Sequence, residues 1–254
     1  MNHQEEHIIE VENLTVGYGE SVILENISFF VKKSEVFAIL GGSGSGKSTI
    51  IKNLTGLNEP ITGTIIIDGI DTVNVKDEKL VELRRNYGVL YQSGALFSSL
   101  TLEENIALPL LEYSDYPKDV VYSIAKVKLD MVGLSGYEKY MPYELSGGMR
   151  KRAALARAMA LDPKILFLDE PSAGLDPINS AKLDDLILKL NCITGVTIVV
   201  VTHELESIFA VADRVIIVDK KTKSILDEGC PSRLKGNSKN EWVRNFLNRK
   251  YLRS

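Results

Sequence analysis

The chain has 254 residues, 44% of them hydrophobic and 25% charged, and its formal net charge at pH 7 is −4. This length suffices for a substantial core without cross-links, and the negative charge argues against a general affinity for nucleic acid. Cys192 and Cys230 lack the spacing of a metal site and are typical of a reducing compartment. The first ten residues contain no apolar segment, and no run of about 18 apolar residues occurs, so we expect neither a secretory signal nor a bilayer span.

The first part of the chain alternates short apolar segments with turns. Residues 8–16 and 22–31 alternate apolar and polar side chains on either side of Gly17–Glu20, which predicts two strands joined by a turn. Val36–Leu40 is a continuous apolar run, the pattern of a strand buried on both faces. Ile65–Ile67, which is followed by Asp-Gly, predicts a further strand that ends in a turn.

From residue 92 onward the apolar spacing becomes helical, and strand patterns return after residue 161. We interpret residues 92–161 as a mostly helical insertion. The individual segments are helices at 101–111, 118–132 and 149–160, strands at 165–168, 196–201 and 215–218, helices at 178–191 and 204–212, and a short helix at 239–253. Strands that alternate with helices predict an α/β fold with a mainly parallel sheet covered on both faces.

A phosphate-binding loop follows the first buried strand. Gly41–Ser48 matches the P-loop pattern and is followed by a helical run, Thr49–Leu54, as the motif requires. The glycines let successive N–H groups point at phosphate oxygens, and the start of the helix adds a positive dipole. Lys47 is expected to reach the β- and γ-phosphates, and the Ser48 hydroxyl to ligate Mg²⁺. The predicted nucleotide ligands are Gly41, Gly42, Ser43, Gly44, Ser45, Gly46, Lys47, Ser48 and Thr49.

Two acidic residues end the later apolar strand at 165–168. Ligands of doubly wound sheets bind at such strand ends, and an Asp beside a P-loop holds the Mg²⁺ that bridges the phosphates. Asp169 is therefore predicted to bind Mg²⁺, and Glu170 to act as the general base that polarises the attacking water. The alternative is an ordinary strand-to-loop turn before Pro171, which the nearby P-loop disfavours.

Two further polar residues follow apolar, strand-like segments. His203 comes after 196–201 and Thr202, a position from which a histidine can contact the γ-phosphate, although a lone histidine is more often structural. Gln92 ends the stretch 88–91 and is a candidate for sensing Mg²⁺ or the attacking water. Both residues are predicted to belong to the nucleotide site.

A second anion site is predicted in front of an alanine-rich helix. Leu145–Met149 precedes the helical run 150–160, with Ser146 as a natural N-cap and with Gly147 and Gly148 exposing backbone N–H groups. Alone, the same pattern describes a simple capped helix. Together with the P-loop, it provides the chain with two phosphate-binding helix starts.

With all the motifs together, the sequence resembles the ATP-binding cassette (ABC) ATPases, in that family's order and over about residues 8–230. Tyr18 is similar to the aromatic residue that stacks on adenine, Gln92 to the Q-loop glutamine, and Ala173–Asp176 to the D-loop. His203 is similar to the switch histidine and Leu145–Met149 to the family signature. The resemblance implies that Ser146, Gly147 and Gly148 reach the γ-phosphate of an ATP held by a second copy, with Asp176 beside the nucleotide. Two copies of the chain would then enclose two ATP molecules.

One departure from the family pattern narrows the resemblance. The signature usually ends in Gln, whereas here Met149, which lacks an amide, is followed by Arg150–Arg152. With Tyr91–Phe97 and Leu175–Ile178, this variant resembles the ATPases of Mce-type lipid transporters, the maintenance-of-lipid-asymmetry systems of double-membraned bacteria and their relatives. The resemblance implies membrane permease subunits, an accessory cytoplasmic subunit and an Mce-type substrate-binding protein as partners, and no nucleic acid. It also implies a peripheral position on the cytoplasmic face of the inner membrane.

The expected organisation has three parts. Residues 1–91 and 162–230 would form the nucleotide-binding core, with an antiparallel β subdomain, and 92–161 the helical signature subdomain. Residues 231–254 would form a tail that makes assembly contacts. The main alternative function is that of another ABC transport subgroup, such as the amino-acid or lipoprotein systems. A soluble ABC ATPase acting on ribosomes or DNA is less favoured, because the chain has neither two cassettes, nor a long coiled-coil insertion, nor a basic net charge.

Two apolar surfaces are candidate contacts with partners. Residues 93–110 are predicted to dock the membrane partner through Leu96, Phe97 and Leu100, since exposed apolar groups usually mark an interface. The alternative is that these side chains cover the core of the helical insertion. The tail is predicted to form a helix with one apolar face, which consists of Trp242, Val243, Phe246 and Leu247. This face is expected to contact another subunit, with an anionic membrane surface or its own domain as the alternatives.

Overall fold

The computed structural model describes residues 6–19, 21–75 and 77–250. The strands are β1 (His7–Tyr18), β2 (Ser21–Lys32), β3 (Val36–Gly41), β4 (Thr62–Ile67), β5 (Ile70–Asp71), β6 (Tyr87–Leu90), β7 (Ile165–Asp169), β8 (Thr197–Val201), β9 (Arg214–Asp219) and β10 (Ser224–Gly229). The helices are α1 (Lys47–Leu54), α2 (Asp77–Arg84), α3 (Leu102–Tyr113), α4 (Lys118–Met131), α5 (Gly147–Ala158), α6 (Pro177–Thr194), α7 (Leu205–Val211), α8 (Pro231–Asn237) and α9 (Glu241–Leu247). No helix in the described ranges has both the length and the apolar character needed to cross a membrane.

The chain divides into two compact units. The first unit is formed by the chain up to Leu80 together with the segment from Thr197 onward, and the second by Val81–Val196. The second unit contains the predicted helical insertion, 92–161, and extends it by β6 on one side and by β7 and α6 on the other.

The first unit contains two groups of strands. One is an antiparallel sheet with the strand order β2-β1-β4-β5. The other has the order β10-β9-β3-β8, in which β3 is parallel to β8 and β9 while β10 is antiparallel to β9. Strand β3 lies between β9 and β8, and all six of its residues are buried, as its unbroken apolar run predicts. The expected antiparallel subdomain and parallel strands are thus confirmed.

An arginine in β9 ties several strands of the first unit together. Arg214 donates from Nε to Glu35 Oε1 at 2.8 Å and from Nη2 to Glu35 Oε2 at 2.9 Å, and it also pairs with Glu228 of β10. Its guanidinium lies over the rings of Phe30 and Phe37, at 4.3 and 4.8 Å from their centroids. Glu35 is only 7% exposed, so this bidentate pair is largely desolvated.

The second unit is built on a parallel strand pair and a helical core. β6 and β7 pair in parallel with Leu90 opposite Leu168. Gly88 in β6 touches α5 directly, because a Cβ there would lie 2.0 Å from the carbonyl oxygen of Ala158. Helices α3, α4 and α5 bury a common apolar cluster that includes Leu102, Ile106, Leu110, Val121, Leu129, Val132, Leu134, Leu145, Ala153 and Ala156. This cluster confirms the predicted helical insertion.

A buried asparagine shapes the loop that leads into α3. Asn105 Nδ2 donates to the carbonyl oxygens of Phe97 and Leu100 at 3.1 Å and of Thr101 at 3.0 Å, while Oδ1 accepts from the Phe97 N–H at 2.8 Å. Thr101 and Glu104 add a reciprocal capping box at the start of the helix. The loop is therefore fixed at several backbone groups, and it presents the Phe97 side chain 51% exposed.

The tail helix packs within the first unit. Asn240 caps α9, whose Val243 and Leu247 side chains are fully buried while Trp242 and Phe246 are half-buried. The predicted helix over 239–253 is thus present but shorter, and residues 251–253 lie outside the described part of the chain. Glu20, the last residue of the predicted turn at 17–20, also lies outside it.

The sequence patterns do not predict four short elements, β5, α2, β10 and α8. Helix α2 is mostly polar, and Leu83 is its one fully buried apolar residue among those whose side chains are described, so its apolar periodicity is weak. Strand β10 is a half-exposed edge strand without clear alternation. Helix α8 contains Gly236, a residue with low helix propensity.

Candidate functional site

The phosphate loop packs tightly on one side. Gly41 ends β3, and a Cβ there would lie 2.4 Å from the Val218 carbonyl oxygen and 2.5 Å from Ser45 Oγ. Gly46 has a φ of 95°, in the left-handed region, and a Cβ on it would lie 2.7 Å from the Ile23 side chain. Both positions therefore require glycine, Gly41 for space and Gly46 for space and backbone conformation.

The other side of the loop is open and polar. A Cβ on Gly42 would meet nothing within 4 Å, whereas Ser45 Oγ is buried and has no hydrogen-bond partner among the described residues. Lys47 Nζ lies across the loop and donates to the carbonyl oxygens of Gly41 and Gly42, both at 3.0 Å. Helix α1 begins at Lys47 with neither a side-chain cap nor an acidic residue in its first turn. This combination of open backbone, buried hydroxyl, ammonium group and helix start fits a polyphosphate.

Tyr18 ends β1 in the same unit and is held beside α1. Its side chain is 49% exposed, and its hydroxyl accepts a hydrogen bond from Lys52 Nζ at 3.4 Å. Partial burial raises the pKa of Tyr18, but hydrogen bonds with Thr49 and Lys52 outweigh this and leave the pKa below its ordinary value. The ring is therefore positioned next to the helix that starts at the phosphate loop.

His203 lies at the same sheet edge as the phosphate loop. Strands β3 and β8 run in parallel with Ile39 opposite Val201, so the residues after each strand leave the sheet at the same end. Thr202 is buried and its Oγ1 accepts from the Glu204 N–H at 3.1 Å, while His203 is exposed. The first unit thus brings Gly41–Thr49 and His203 to one edge of these strands.

The second unit brings Gln92, Asp169 and Glu170 together by the same geometry. Because β6 and β7 are parallel, Gln92 and the two carboxylates follow their strands at one end of the pair. The Gln92 side chain is exposed, Asp169 is half-buried and Glu170 is buried. Glu170 has a φ of 48°, a left-handed backbone that a residue with a side chain seldom adopts.

Helix α5 holds the loop that follows Gln92. Arg157 donates to the carbonyl oxygens of Ala95 at 2.7 Å and Gly94 at 3.2 Å, and burial lowers the pKa of its guanidinium. Lys151 of the same helix donates from Nζ to the carbonyl oxygens of Gln92 at 2.5 Å and Glu170 at 3.2 Å. Sequence reasoning did not single out Lys151. The only signal was its place one helical turn after Gly147.

The predicted signature residues form the start of α5. Ser146 is the N-cap, and its Oγ accepts from the Met149 N–H at 3.3 Å. Gly147 and Gly148 are half-buried. The Met149 side chain packs against the helical core cluster, so the residue that replaces the usual Gln contributes to packing.

The end of the D-loop lies next to this helix start. Asp176 caps α6 by accepting from the N–H groups of Ile178 and Asn179, both at 3.1 Å, and bonds from the Asn179 backbone and side chain hold the pKa of Asp176 below its ordinary value. Asn179 in turn contacts the signature, because a Cβ on Gly148 would lie 3.5 Å from its side chain. Among the described residues, no group of three or more His, Cys, Asp and Glu side chains is arranged to hold a metal ion by itself.

Comparisons with known proteins point to one family. A family model described as ABC transporter matches residues 24–173. The intermembrane phospholipid transport system ATP-binding protein MlaF of Haemophilus influenzae is 42% identical over 230 residues, which are 90% of this chain and 86% of that protein. A probable ribonucleotide transport ATP-binding protein, mkl of Mycobacterium tuberculosis, is 45% identical over 213 residues, 84% of this chain but only 59% of that protein.

The fold agrees with solved structures of the same class. The dimeric structure of a post-hydrolysis state of the ATP-binding cassette MJ0796, bound to ADP and Pi, matches with a TM-score of 0.78 and 33% sequence identity. The match covers 87% of this chain and 98% of that one. Sequence and fold therefore lead to the same family.

Proposed function

This chain belongs to the ABC transporter family and is an ATPase, and we propose that two copies of it power a membrane permease that moves phospholipid. The observation that carries the ATPase part is the polar side of the phosphate loop, where a buried hydroxyl, an ammonium group and an uncapped helix start meet. The 42% identity to MlaF over most of the chain supports the phospholipid part.

The nucleotide is ATP, bound by its phosphates at Gly41–Thr49. Lys47, whose ammonium lies on loop carbonyls, turns to the β- and γ-phosphates when they are present, because a phosphate oxygen is a stronger acceptor for a cation than a carbonyl. Ser45 Oγ is the buried donor left over for a phosphate oxygen. Tyr18, half-exposed beside α1, stacks on the adenine ring.

The metal is Mg²⁺, with the Ser48 hydroxyl, Gln92 and Asp169 as its protein ligands. Hydroxyl, amide and carboxylate oxygens are the donors that Mg²⁺ prefers, and it takes the remaining ligands from phosphates and water. When bound, the ion neutralises charge on the phosphates. Few protein ligands are therefore needed, which agrees with the lack of an all-protein metal cluster among the described residues.

Glu170 is the general base and His203 the sensor of the γ-phosphate. A buried carboxylate at a strand end can accept a proton from the attacking water, and its left-handed backbone aims the side chain in a direction that an ordinary strand extension would not. His203, exposed after the buried Thr202, donates a hydrogen bond to the γ-phosphate and so reports whether it is present.

The signature serves the nucleotide of a second copy. Ser146, Gly147 and Gly148 begin α5 with backbone N–H groups available for an anion, and Asp176 lies in the adjoining D-loop. The related cassette MJ0796 forms a dimer in its ADP- and Pi-bound structure. One chain has two phosphate-binding helix starts, and both have a function if each ATP is shared by two chains.

The proposal includes membrane partners, which the name of MlaF as part of an intermembrane phospholipid transport system supports. Membrane permease subunits receive the motion of the dimer at the cytoplasmic face of the inner membrane, and an accessory subunit and an Mce-type protein complete the assembly. The mycobacterial relative is named for ribonucleotides, so the cargo needs a direct assay. The complex purified with its permease should exchange fluorescent phospholipid between vesicles in an ATP-dependent way and should not move labelled ribonucleotide. The reverse result would replace the proposed cargo.

The ATPase assignment is tested with one substitution. Glu170→Gln should still bind ATP but should hydrolyse it about 10²–10⁴-fold more slowly, the usual cost of losing a general base. Binding is measured with a fluorescent ATP analogue, and turnover by phosphate release from the assembled transporter. Near-normal turnover by this variant would refute the role of Glu170.

A further inference from the structure

Lys151 connects three segments of the second unit from a buried position. It lies one turn into α5, and it is only 6% exposed. Its ammonium group donates to the carbonyl oxygen of Gln92, in the loop after β6, and to that of Glu170, in the loop after β7. One side chain thus joins the signature helix to the backbones of the proposed magnesium ligand and the proposed base.

We propose that Lys151 is a positioning residue of the ATPase, which holds the backbones of Glu170 and Gln92 in their catalytic geometry and ties both to the signature helix. The inference rests on the functions proposed above for Glu170 and Gln92. It assigns to Lys151 no contact with nucleotide.

Glu170 is the residue that most needs such a restraint. A left-handed backbone at a non-glycine residue persists only where its surroundings fix it. Two hydrogen bonds to the Glu170 carbonyl oxygen do so here, one from Lys151 Nζ at 3.2 Å and one from the Ala173 N–H at 3.2 Å. If the lysine bond is lost, the Glu170 peptide can relax and its carboxylate turns away from the direction in which it acts.

A lysine suits this task because of its donors. An ammonium group has three N–H donors that can point to acceptors from different segments, and both carbonyl oxygens receive charge-assisted bonds. Burial of a charge is costly unless it is bonded, so packing alone does not account for Lys151.

The position of Lys151 on α5 lets this side chain connect the signature with the proposed catalytic residues. Lys151 is four residues after Gly147, a rise of about 6 Å along the helix, so a shift of the signature at the helix start is carried to the ammonium group. The same shift then reaches the Gln92 and Glu170 carbonyls. When the nucleotide of a second copy binds to the signature, the effect is thereby transmitted to Glu170 of the chain that carries the signature.

The test compares Lys151→Met with Lys151→Arg and with a matched control on the same helix. Arg152→Gln is the control, because Arg152 also bonds two carbonyl oxygens, those of Val132 and Gly133, but these lie outside the site. In the assembled transporter, Lys151→Met should lower kcat about 10²-fold, the effect of a small misplacement of a catalytic group, while KM and the Kd for a fluorescent ATP analogue stay unchanged. Lys151→Arg should restore part of kcat, and Arg152→Gln should keep it.

Several outcomes would overturn the proposal. These are wild-type kcat in folded Lys151→Met, an equal loss of kcat in Arg152→Gln, or a loss that Lys151→Arg does not reduce. If Lys151→Met does not fold, as judged by its Tm, Lys151→Ala replaces it, because water can then reach the two carbonyl oxygens. Wild-type kcat in folded Lys151→Ala would be equally decisive.

A double variant separates this inference from the proposed function. Lys151→Met should add little to the loss already caused by Glu170→Gln, since both act on the same step. If Glu170→Gln slows turnover as expected and the effects of the two substitutions simply add, the base assignment stands and the positioning proposal fails. If Glu170→Gln keeps near-normal turnover, the proposed function itself fails, whatever Lys151→Met does.

Discussion

The rings of Trp242 and Phe246 stack on the tail helix α9, with centroids 4.9 Å apart and planes 9° from parallel. Val243 and Leu247, the other two apolar residues of this helix, are fully buried in the first unit. The single apolar face expected from the sequence therefore consists of a buried pair, which anchors the helix to its own unit, and a half-buried aromatic pair beside it. The aromatic pair is the part that remains available for another subunit.

Replacing the aromatic pair should weaken assembly more than folding. Trp242→Ala with Phe246→Ala leaves the buried anchor in place, so the subunit should keep its fold, while ATP-dependent dimers or retention of partner subunits should decrease. Light scattering in the slow Glu170→Gln background measures the dimer, and co-purification measures the partners. Unchanged dimerisation together with unchanged retention would leave the tail helix with a purely intramolecular function.

Phe97 should be a docking residue for the permease. Its side chain is half-exposed on a loop that Asn105 fixes at four backbone groups, whereas Leu96 packs against the helical core. Phe97→Asp should abolish co-purification with the permease and leave ATP binding by the isolated subunit intact. Val127→Asp is the matched control, since Val127 is 58% exposed on α4, outside this loop. Equal retention of the permease by both variants would contradict docking at Phe97.

Composite sites should be visible in mixtures of two inactive variants. Ser146→Arg places bulk and charge at the signature, and Lys47→Ala removes a phosphate ligand, so each pure variant lacks both sites of the dimer. A mixed dimer keeps one site in which an intact Lys47 faces an intact Ser146. The ATPase rate should therefore rise on mixing and reach its maximum near equal amounts. Full activity of pure Ser146→Arg protein would show that the signature is not part of the site.

The Arg214 network should matter to stability and not to chemistry. Arg214→Ala leaves the carboxylate of Glu35 buried without its cation, which costs about 3–5 kcal/mol. Arg249→Ala is the control, because its pair with Glu206 is mostly exposed, with side chains 59% and 78% accessible, and such pairs contribute about 0–1 kcal/mol. Urea unfolding monitored by circular dichroism measures both. A similar loss of unfolding free energy in the two variants would show that burial of the Arg214–Glu35 pair contributes little to stability.

Local signals in the sequence predict much of this fold and of the candidate site. The phosphate loop depends on glycines and a helix start that are contiguous in the chain, and Asp169, Glu170 and His203 each follow a recognisable apolar strand. Elements with weak periodicity, such as the polar helix α2 and the edge strand β10, are not predicted because tertiary packing determines them.

Long-range contacts are the part that the sequence does not reveal. Lys151 contacts carbonyl oxygens that are 59 and 19 residues away along the chain. Because every residue has a backbone carbonyl, the residue types at these positions do not indicate the contacts. For the same reason the sequence indicates Met149 only as a departure from the family pattern. Its side chain packs against the helical core, a contact that depends on how α3, α4 and α5 pack.

At Glu170 the left-handed backbone makes the requirement for stability conflict with the requirement for catalysis. Glycine or asparagine would adopt a φ of 48° with less strain, and a strained residue of this kind costs about 1–3 kcal/mol. Selection of random variants for heat resistance alone, without any demand for ATP hydrolysis, should therefore enrich small or amide side chains at residue 170. Under selection for growth that depends on the transporter's activity, residue 170 should return to glutamate, although glutamate makes the protein less stable.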